Sequence, residues 1–402
     1  MSGINHSTRG HALLSASGSK RWMNCTPSAR LEERMSSEEE SIFAKEGTLA
    51  HELSDIILQK AFKDMPIKAF NAEKRKIKNA VVKLLSAEAF EEMETEVAKY
   101  VDIVSEAYNV ALKANPGAVL ILEERLDYSH IVPEGFGTGD TMIVSDGLLD
   151  NYDLKYGRGI SVEAKSNPQL MLYGLGALRR FELQYDIQEV QMNIVQPRLN
   201  NYSSWKCSVQ YLEKWGEKVV KPVAEKAFAG EGDKCAGDWC KWCKFKPVCP
   251  TIKEKALEVA KHEFAPVDEV SLSELAEVMK QSEIITDWLS AVKKHLLTQI
   301  QKGEKVPGFK VVAGRSNRKW INETKTICIL DKLPNIEVTD FMVSKVKGIA
   351  AIEKLVGKET FEEHFSKAFE KPTGAPTLAP FSDKRPAMGL AQAKEDFNEP
   401  LN

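Results

Sequence analysis

Residues 152–180 read YDLKYGRGISVEAKSNPQLMLYGLGALRR. The run LLDNYDLKY (148–156) that leads into this stretch has the composition of a strand. Side chains at i and i+2 of a strand share a face, so Asp153 and Lys155 project together. Asn167-Pro168 then opens a helix: proline suits the first helical position, and Ser166 or Asn167 can cap it. Gln169 and Tyr173, four residues apart, share one face of that helix. The stretch therefore reads as a strand bearing an acid and an ammonium, followed by a helix that can aim Gln and Tyr at them.

The neighbouring segments extend this pattern. AVLILEERLDY (118–128) and DTMIVSD (140–146) read as strands, and Asp146-Gly147 predicts a hairpin turn into 148–156. EVQMNIVQP (189–197) and SSWKCSVQY (203–211) follow the helix as two more strands. Upstream, Met93, Val97, Tyr100, Val101, Val104 and Tyr108 recur at three-four spacing, the buried stripe of a helix. Asn115-Pro116-Gly117 ends that helical region. Helices, three strands, a helix and two strands predict an α/β core with a mixed central sheet flanked by helices. The expected division is a helical region over 1–115, the core with a cysteine cluster over 116–265, a mainly helical part over 266–371 and a tail without regular structure over 372–402.

The chain has 402 residues, 43% hydrophobic and 28% charged, within the globular range. No apolar run has the length of a membrane span and the start lacks a signal-peptide core, so a cytoplasmic location is expected. The net charge of -3 argues against a chain that is basic throughout, but leaves room for a local basic groove.

Asp140 follows Gly137-Thr138-Gly139 on one arm of the expected hairpin, and Asp153 lies on the other. Two carboxylates brought that close repel unless a divalent cation neutralises them. Hard oxygen donors suit Mg²⁺ or Mn²⁺. Lys155 beside them could stabilise charge developing on a phosphoryl group, and Gln169 and Tyr173 could hydrogen-bond a phosphate or an attacking water. The plainer alternative is a solvated Asp-x-Lys ion pair, and a helix that buries Tyr173 and exposes Gln169.

Gly-Thr-Gly-Asp140, Asp153-Leu154-Lys155 and Gln169-x-x-x-Tyr173 together resemble the RecB-like branch of the PD-(D/E)xK nuclease superfamily. That resemblance implies a restriction-endonuclease-like core and a metal-dependent DNA nuclease, most simply an exonuclease acting on linear duplex ends. The branch also carries a histidine in a Gly-x-x-x-His context, matched here by Gly47 to His51. The resemblance implies His51, Asp140 and Asp153 as metal ligands and Lys155 as the catalytic lysine. It also implies an acid on the preceding strand. Glu123 and Glu124 both qualify, and Glu123 is preferred.

Seven cysteines occur, at 25, 207, 235, 240, 243, 249 and 328. In KCAGDWCKWCKFKPVCP (234–250), Cys235, Cys240, Cys243 and Cys249 could form a zinc site by themselves. A [4Fe-4S] cluster also needs four thiolates. Some RecB-like nucleases, AddB-type subunits among them, hold such a cluster with one cysteine before the core and three after it. That layout implies Cys25, Cys240, Cys243 and Cys249, and leaves Cys235 spare. Cys207 and Cys328 read as small buried hydrophobes.

In VPGFKVVAGRSNRKW (306–320), Trp320 could stack on a base while Lys310, Arg315, Arg318 and Lys319 follow a backbone. The alternative is a solvated loop with a packed Trp320. Arg158, Lys241, Lys244 and Lys246 are further candidate DNA contacts. This motif and the tail PTGAPTLAPFSDKRPA (372–387) are similar to phage-encoded RecB-like proteins. That similarity implies a role in phage recombination or replication, a host-cytoplasm location, and a partner such as a single-strand annealing or binding protein. A ring-shaped homo-oligomer would allow processive digestion, though no residue indicates one. The rival readings are a non-catalytic DNA-binding or assembly protein on a degenerate nuclease fold, and a zinc-stapled endonuclease.

Overall fold

The computed structural model describes residues 12–35, 40–263, 272–314, 319–334, 336–341, 348–370 and 374–380. The chain divides into two compact units, Met1–Trp288 and Leu289–Asn402.

In the first unit, helices α1 (Ser19–Asn24), α2 (Ser28–Glu32), α3 (Ile42–Phe62), α4 (Ile67–Leu84) and α5 (Ala87–Ala114) precede the strands β1 (Val119–Asp127), β2 (Phe136–Ser145) and β3 (Gly147–Leu154). Helix α6 (Pro168–Phe181) crosses to β4 (Ile187–Gln196), and β5 (Asn201–Ser208) closes the sheet. Helices α7 (Val209–Trp215), α8 (Lys221–Ala229) and α9 (Pro250–Glu263) follow. The sheet order is β1-β2-β3-β4-β5. All neighbours are antiparallel except β3 and β4, which α6 joins in parallel. This is an α/β fold with a mixed central sheet, as the order of elements predicts.

Alternation along the strands gives the sheet two apolar faces. Leu149, Val190, Met192 and Ile194 enter one core with Leu170, Leu172 and Leu175 of α6 and with Trp22. Tyr152, Leu154 and Val195 enter the other, with Leu53 of α3, Val81 of α4, and Met93, Val97, Tyr100 and Val104 of α5. Burying one such Leu or Val stabilises the fold by about 1.5–3 kcal/mol. Gly147 turns the β2–β3 hairpin at a φ of 88°, where a residue with a Cβ would be strained.

One irregularity shapes the site. In β1, Val119 and Ile121 pack on the α6 side, and Leu120 and Leu122 on the α3–α5 side. Past Glu123 the alternation reverses, since Leu126 and Tyr128 belong to the α6 side. Glu123 has a left-handed φ of 49°. A single left-handed residue flips the face of every residue after it. β2 makes the matching switch. Met142 and Val144 lie on the α6 side. So do the glycines: a Cβ on Gly139 would meet Leu126 at 3.0 Å, and one on Gly137 would meet the Tyr173 ring at 2.7 Å. Both strands switch at one level, so the register is the same on either side, Leu122 opposite Thr141 and Glu124 opposite Gly139. Glu123 and Asp140 face each other at the switch.

In the second unit, α10 (Leu272–Gln301, begun in the first unit) leads to β6 (Phe309–Gly314), β7 (Lys319–Trp320), and helices α11 (Glu323–Leu330), α12 (Val338–Phe341), α13 (Ile349–Val356) and α14 (Lys358–Phe365). Strands β8 (Phe369–Glu370) and β9 (Gly374–Pro380) follow. Two expectations change here, and of the two readings of Trp320 the packed one holds. The tail from 372 does contain regular structure: β9 pairs antiparallel with β6. Its prolines are tolerated because a two-stranded pair leaves one side of each strand without a ladder partner. Trp320 packs against Phe361 and Phe365, with ring centroids 6.3 and 5.9 Å away, so it belongs to an aromatic core. Cys328 is exposed. Arg315 and Arg318 lie outside the described residues. No helix among the described residues is long and apolar enough to cross a membrane.

Candidate active site

The site lies where β1, β2 and β3 meet α3 and α6. Each element is fixed by local chemistry. Ser41 caps α3 by accepting from the Ala44 amide at 3.2 Å. Asn167 caps α6 by accepting from the amides of Gln169 at 3.0 Å and Leu170 at 3.4 Å, with Pro168 at the first helical position. Gly137 leaves room for Tyr173, and Gly176 lets α6 approach Leu126, which a Cβ would meet at 2.9 Å.

Three of the expected residues converge. Donor atoms of His51, Glu123 and Asp140 lie within 4.8 Å of one another. His51 Nδ1 is 3.3 Å from Asp140 Oδ2. The same Asp140 oxygen accepts from the Leu154 amide at 2.8 Å, which ties β2 to the end of β3. Glu123, taken above as the acid on the preceding strand, completes this group. Glu124 instead turns to the α6 side, where it meets Arg180 at 3.3 Å.

Asp153 is paired separately. Its Oδ2 meets the Lys155 ammonium at 2.8 Å, and its Oδ1 accepts from Gln169 Nε2 at 3.2 Å. Gln169 Oε1 accepts from Lys155 at 3.3 Å, and its Nε2 also lies 3.4 Å from the Tyr173 hydroxyl. Gln169 thus bridges acid, ammonium and phenol. Tyr173 is buried and Gln169 partly so, and both face the site.

The electrostatics follow from this packing. Burial alone would lower the His51 pKa, but the Asp140 and Asp153 carboxylates override it and raise it to about 9. Burial and the Asp140 charge push Glu123 up to about 7 against the opposing pull of His51. Burial raises Asp153, with Lys155 opposing it and Asp140 adding to it. Burial also disfavours the Asp140 anion, yet His51, Lys155 and the Leu154 amide hold its pKa below the usual value. Lys155 is raised, because Asp153 and Asp140 outweigh its burial. Lys155 is therefore an ammonium at neutral pH. Tyr173 is pushed well up by burial and the two aspartates, and is a neutral phenol.

A clasp that the motif reading did not single out holds these elements together. Arg198, just after β4, reaches Glu46 of α3 at 2.9 Å and Glu92 of α5 at 3.2 Å. Its guanidinium lies 4.6 Å from the centroid of the Tyr156 ring, beside Lys155. Arg158 also pairs with Glu92, so this candidate DNA contact is engaged within the chain. These partners are 106 and 152 residues from Arg198, and no local pattern announces them.

Five of the cysteines gather elsewhere in the same unit. Cys25, Cys235, Cys240, Cys243 and Cys249 line one small cavity that opens to solvent. Among the described residues, no three of their thiols lie within 4.8 Å of one another. Burial raises the thiols of Cys25 and Cys240, and takes Cys243 to about 12. A closed zinc site with Zn–S bonds of about 2.3 Å would hold its sulfurs about 3.8 Å apart. Glu32 braces the loop by accepting on both sides, from the Arg21 guanidinium at 2.7 Å and from the Lys244 amide at 2.7 Å.

A solved structure titled "Crystal structure of SSO0001" is similar over 56% of this chain and 95% of its own, at 14% identity and a TM-score of 0.21. Residues 11–386 match a family described as "Protein of unknown function (DUF2800)". The match spans nearly the whole sequence, and the chain belongs to that family.

Proposed function

We propose that this protein is a metal-dependent DNA exonuclease that hydrolyses phosphodiester bonds at linear duplex ends, on a PD-(D/E)xK core of the RecB-like kind. One observation carries the reading: a His51–Glu123–Asp140 donor group stands beside an Asp153–Lys155 pair, brought together by α3 and the neighbouring strands β1, β2 and β3. The donors are two carboxylates and an imidazole, which suit Mg²⁺ or Mn²⁺. Asp153 would join them as a ligand. Such an ion supplies a bound water of lowered pKa and a counter-charge for the phosphate.

The chain's own groups account for the remaining chemistry. Lys155 stays protonated, so it acts as a fixed cation for charge developing on the phosphoryl oxygens rather than as a base. Gln169 holds the Lys155 ammonium and the Asp153 carboxylate in one geometry. Tyr173, a neutral phenol, can donate to a phosphate oxygen. An ion pair of purely structural value would not need a bridging amide and a buried phenol beside it.

We assign the cysteine cavity to a structural [4Fe-4S] cluster held by Cys25, Cys240, Cys243 and Cys249. The single cavity lined by all five cysteines supports a bound metal group there, and Zn²⁺ on Cys235, Cys240, Cys243 and Cys249 is the alternative. Cys25 follows α1 and the other three precede α9, so the group would fasten the start of the chain to the end of the core. The proposed setting is phage recombination or replication, with a single-strand annealing or binding protein as partner. The test is incubation with end-labelled linear duplex and with closed circular duplex, in Mg²⁺, Mn²⁺ or EDTA. Metal-dependent loss of the linear form alone supports an exonuclease. Cutting of the circle points to an endonuclease, and no cleavage of either to a binding protein.

A further inference from the structure

β1 and β2 run on past the end of β3. The last β2–β3 pair at that end is Thr141 with Tyr152, yet β1 and β2 stay paired as far as Asp127 with Phe136. Residues 123–127 and 136–140 thus form a two-stranded ribbon beyond the three-stranded part, beside the site. Because the alternation reverses at Glu123, Arg125 projects from the face opposite Leu126, the side on which His51 of α3 meets Glu123.

Arg125 is exposed, and its guanidinium lies 3.8 Å from the centroid of the Phe136 ring. Among the described residues no carboxylate lies within ion-pair distance of it. The two nearest acids in sequence are engaged elsewhere. Glu124 meets Arg180, and Asp127 accepts from the Ser129 amide at 2.8 Å and is stabilised by Arg179 and His130. An aromatic face that holds one side of a guanidinium leaves its in-plane N–H fork open. That fork matches two oxygens of a phosphate. Arg125 stands two residues from Glu123, about 7 Å along the strand. The result is a preorganised, unneutralised guanidinium next to a group of acids that repels a polyanion.

We propose that Arg125, held flat on Phe136, anchors the phosphate adjacent to the scissile one on a polynucleotide strand. The proposal rests on the nuclease reading and specifies its substrate: a strand with a second phosphate beside the cleaved bond, rather than an isolated diester.

The test compares wild type, Arg125→Gln, Arg125→Lys and Phe136→Leu on a linear oligonucleotide duplex, with thermal melts to show that each variant is folded. Arg125→Gln is expected to raise KM about 10- to 100-fold, the effect of losing a charged hydrogen bond, with a much smaller change in kcat. Its affinity in Ca²⁺ should depend less steeply on salt, the slope falling by about 0.9, one phosphate contact. Arg125→Lys keeps the slope and raises KM less than Arg125→Gln does, and Phe136→Leu falls between. A duplex with one neutral methylphosphonate beside the cleaved bond should cost the wild type about 10-fold or more and Arg125→Gln far less. Equal losses in the two proteins, or an unchanged KM and salt slope in a wild type that cleaves normally, overturn the anchor and leave the nuclease reading standing. A folded wild type that neither cleaves nor binds DNA overturns both.

Discussion

Glu123 faces Asp140 across the β1–β2 ladder, at the one point where both strands switch faces without changing register. A carboxylate at a left-handed residue costs about 1–3 kcal/mol of backbone strain, and the surrounding ladder must enforce it. The neighbouring Glu124 pays no such cost and sits in an exposed ion pair. The two adjacent acids therefore have different roles.

Substituting each separates those roles. Glu123→Gln is expected to weaken Mn²⁺ binding and lower cleavage by at least about 100-fold, on the scale of losing one charged group at a transition state. Glu124→Gln should stay within about 1 kcal/mol of wild-type stability and keep full activity, since an exposed pair contributes little. Calorimetric Mn²⁺ titration and a cleavage assay read both. Equal effects would dissolve the distinction.

Gly137 lies under the Tyr173 ring. Gly137→Ala would place a methyl 2.7 Å from Tyr173 Cε1. The ring must move, at about 1–3 kcal/mol of overpacking, and the Gln169 and Asp153 contacts must loosen with it. In a Tyr173→Leu background the same change should cost measurably less stability, a coupling that chemical denaturation of the four proteins would show. Additive losses would mean that the clash is absorbed elsewhere.

Metal affinity should rise with pH, and the sign follows from two groups. A metal needs neutral His51 and ionised Glu123. In the metal-free protein His51 holds its proton up to about pH 9, and Glu123 up to about 7. Between those values one proton must leave per ion bound, so affinity should rise about tenfold per pH unit, more steeply below 7, and level off above 9. The same shift means that the His51–Asp140 pair stabilises the metal-free fold fully below the ordinary histidine pKa of about 6.5, and that this contribution fades as pH rises through 9. Mn²⁺ titrations across this range, with His51→Gln for comparison, check the slope. A flat profile would remove His51 from the ligand set.

The two cysteine assignments differ at Cys25 and Cys235. For protein purified without oxygen, Cys25→Ser should lose bound iron and visible absorption, and Cys235→Ser should keep both. Stoichiometric zinc that Cys235→Ser abolishes and Cys25→Ser preserves would favour the local site instead. Elemental analysis distinguishes the outcomes.

Much of the core was readable from local chemistry. Asp146-Gly147 marks its hairpin, Asn167-Pro168 its helix start, and the three-four stripe from Met93 to Val104 its buried face. Those signals act over a few residues, which sequence displays directly. The choice between Glu123 and Glu124 was less accessible, because it depends on a backbone torsion that only the paired strand enforces. The Arg198 clasp, Trp320 in its aromatic cluster and the pairing of β9 with β6 all join segments distant in sequence. For these a basic, aromatic or proline-rich stretch looks like surface until its partner is known.

The most direct measurement is degradation of end-labelled linear duplex DNA by wild type, Asp153→Ala and Lys155→Ala, each shown to be folded and purified without oxygen, in Mg²⁺, Mn²⁺ and EDTA. The expected result is metal-dependent loss of DNA with wild type and at least about a 1,000-fold lower rate with either variant, the scale of removing a preorganised electrostatic group. Cleavage by Lys155→Ala at the wild-type rate, or none by a folded wild type on any DNA form, would contradict the assignment of this cluster as a nuclease site.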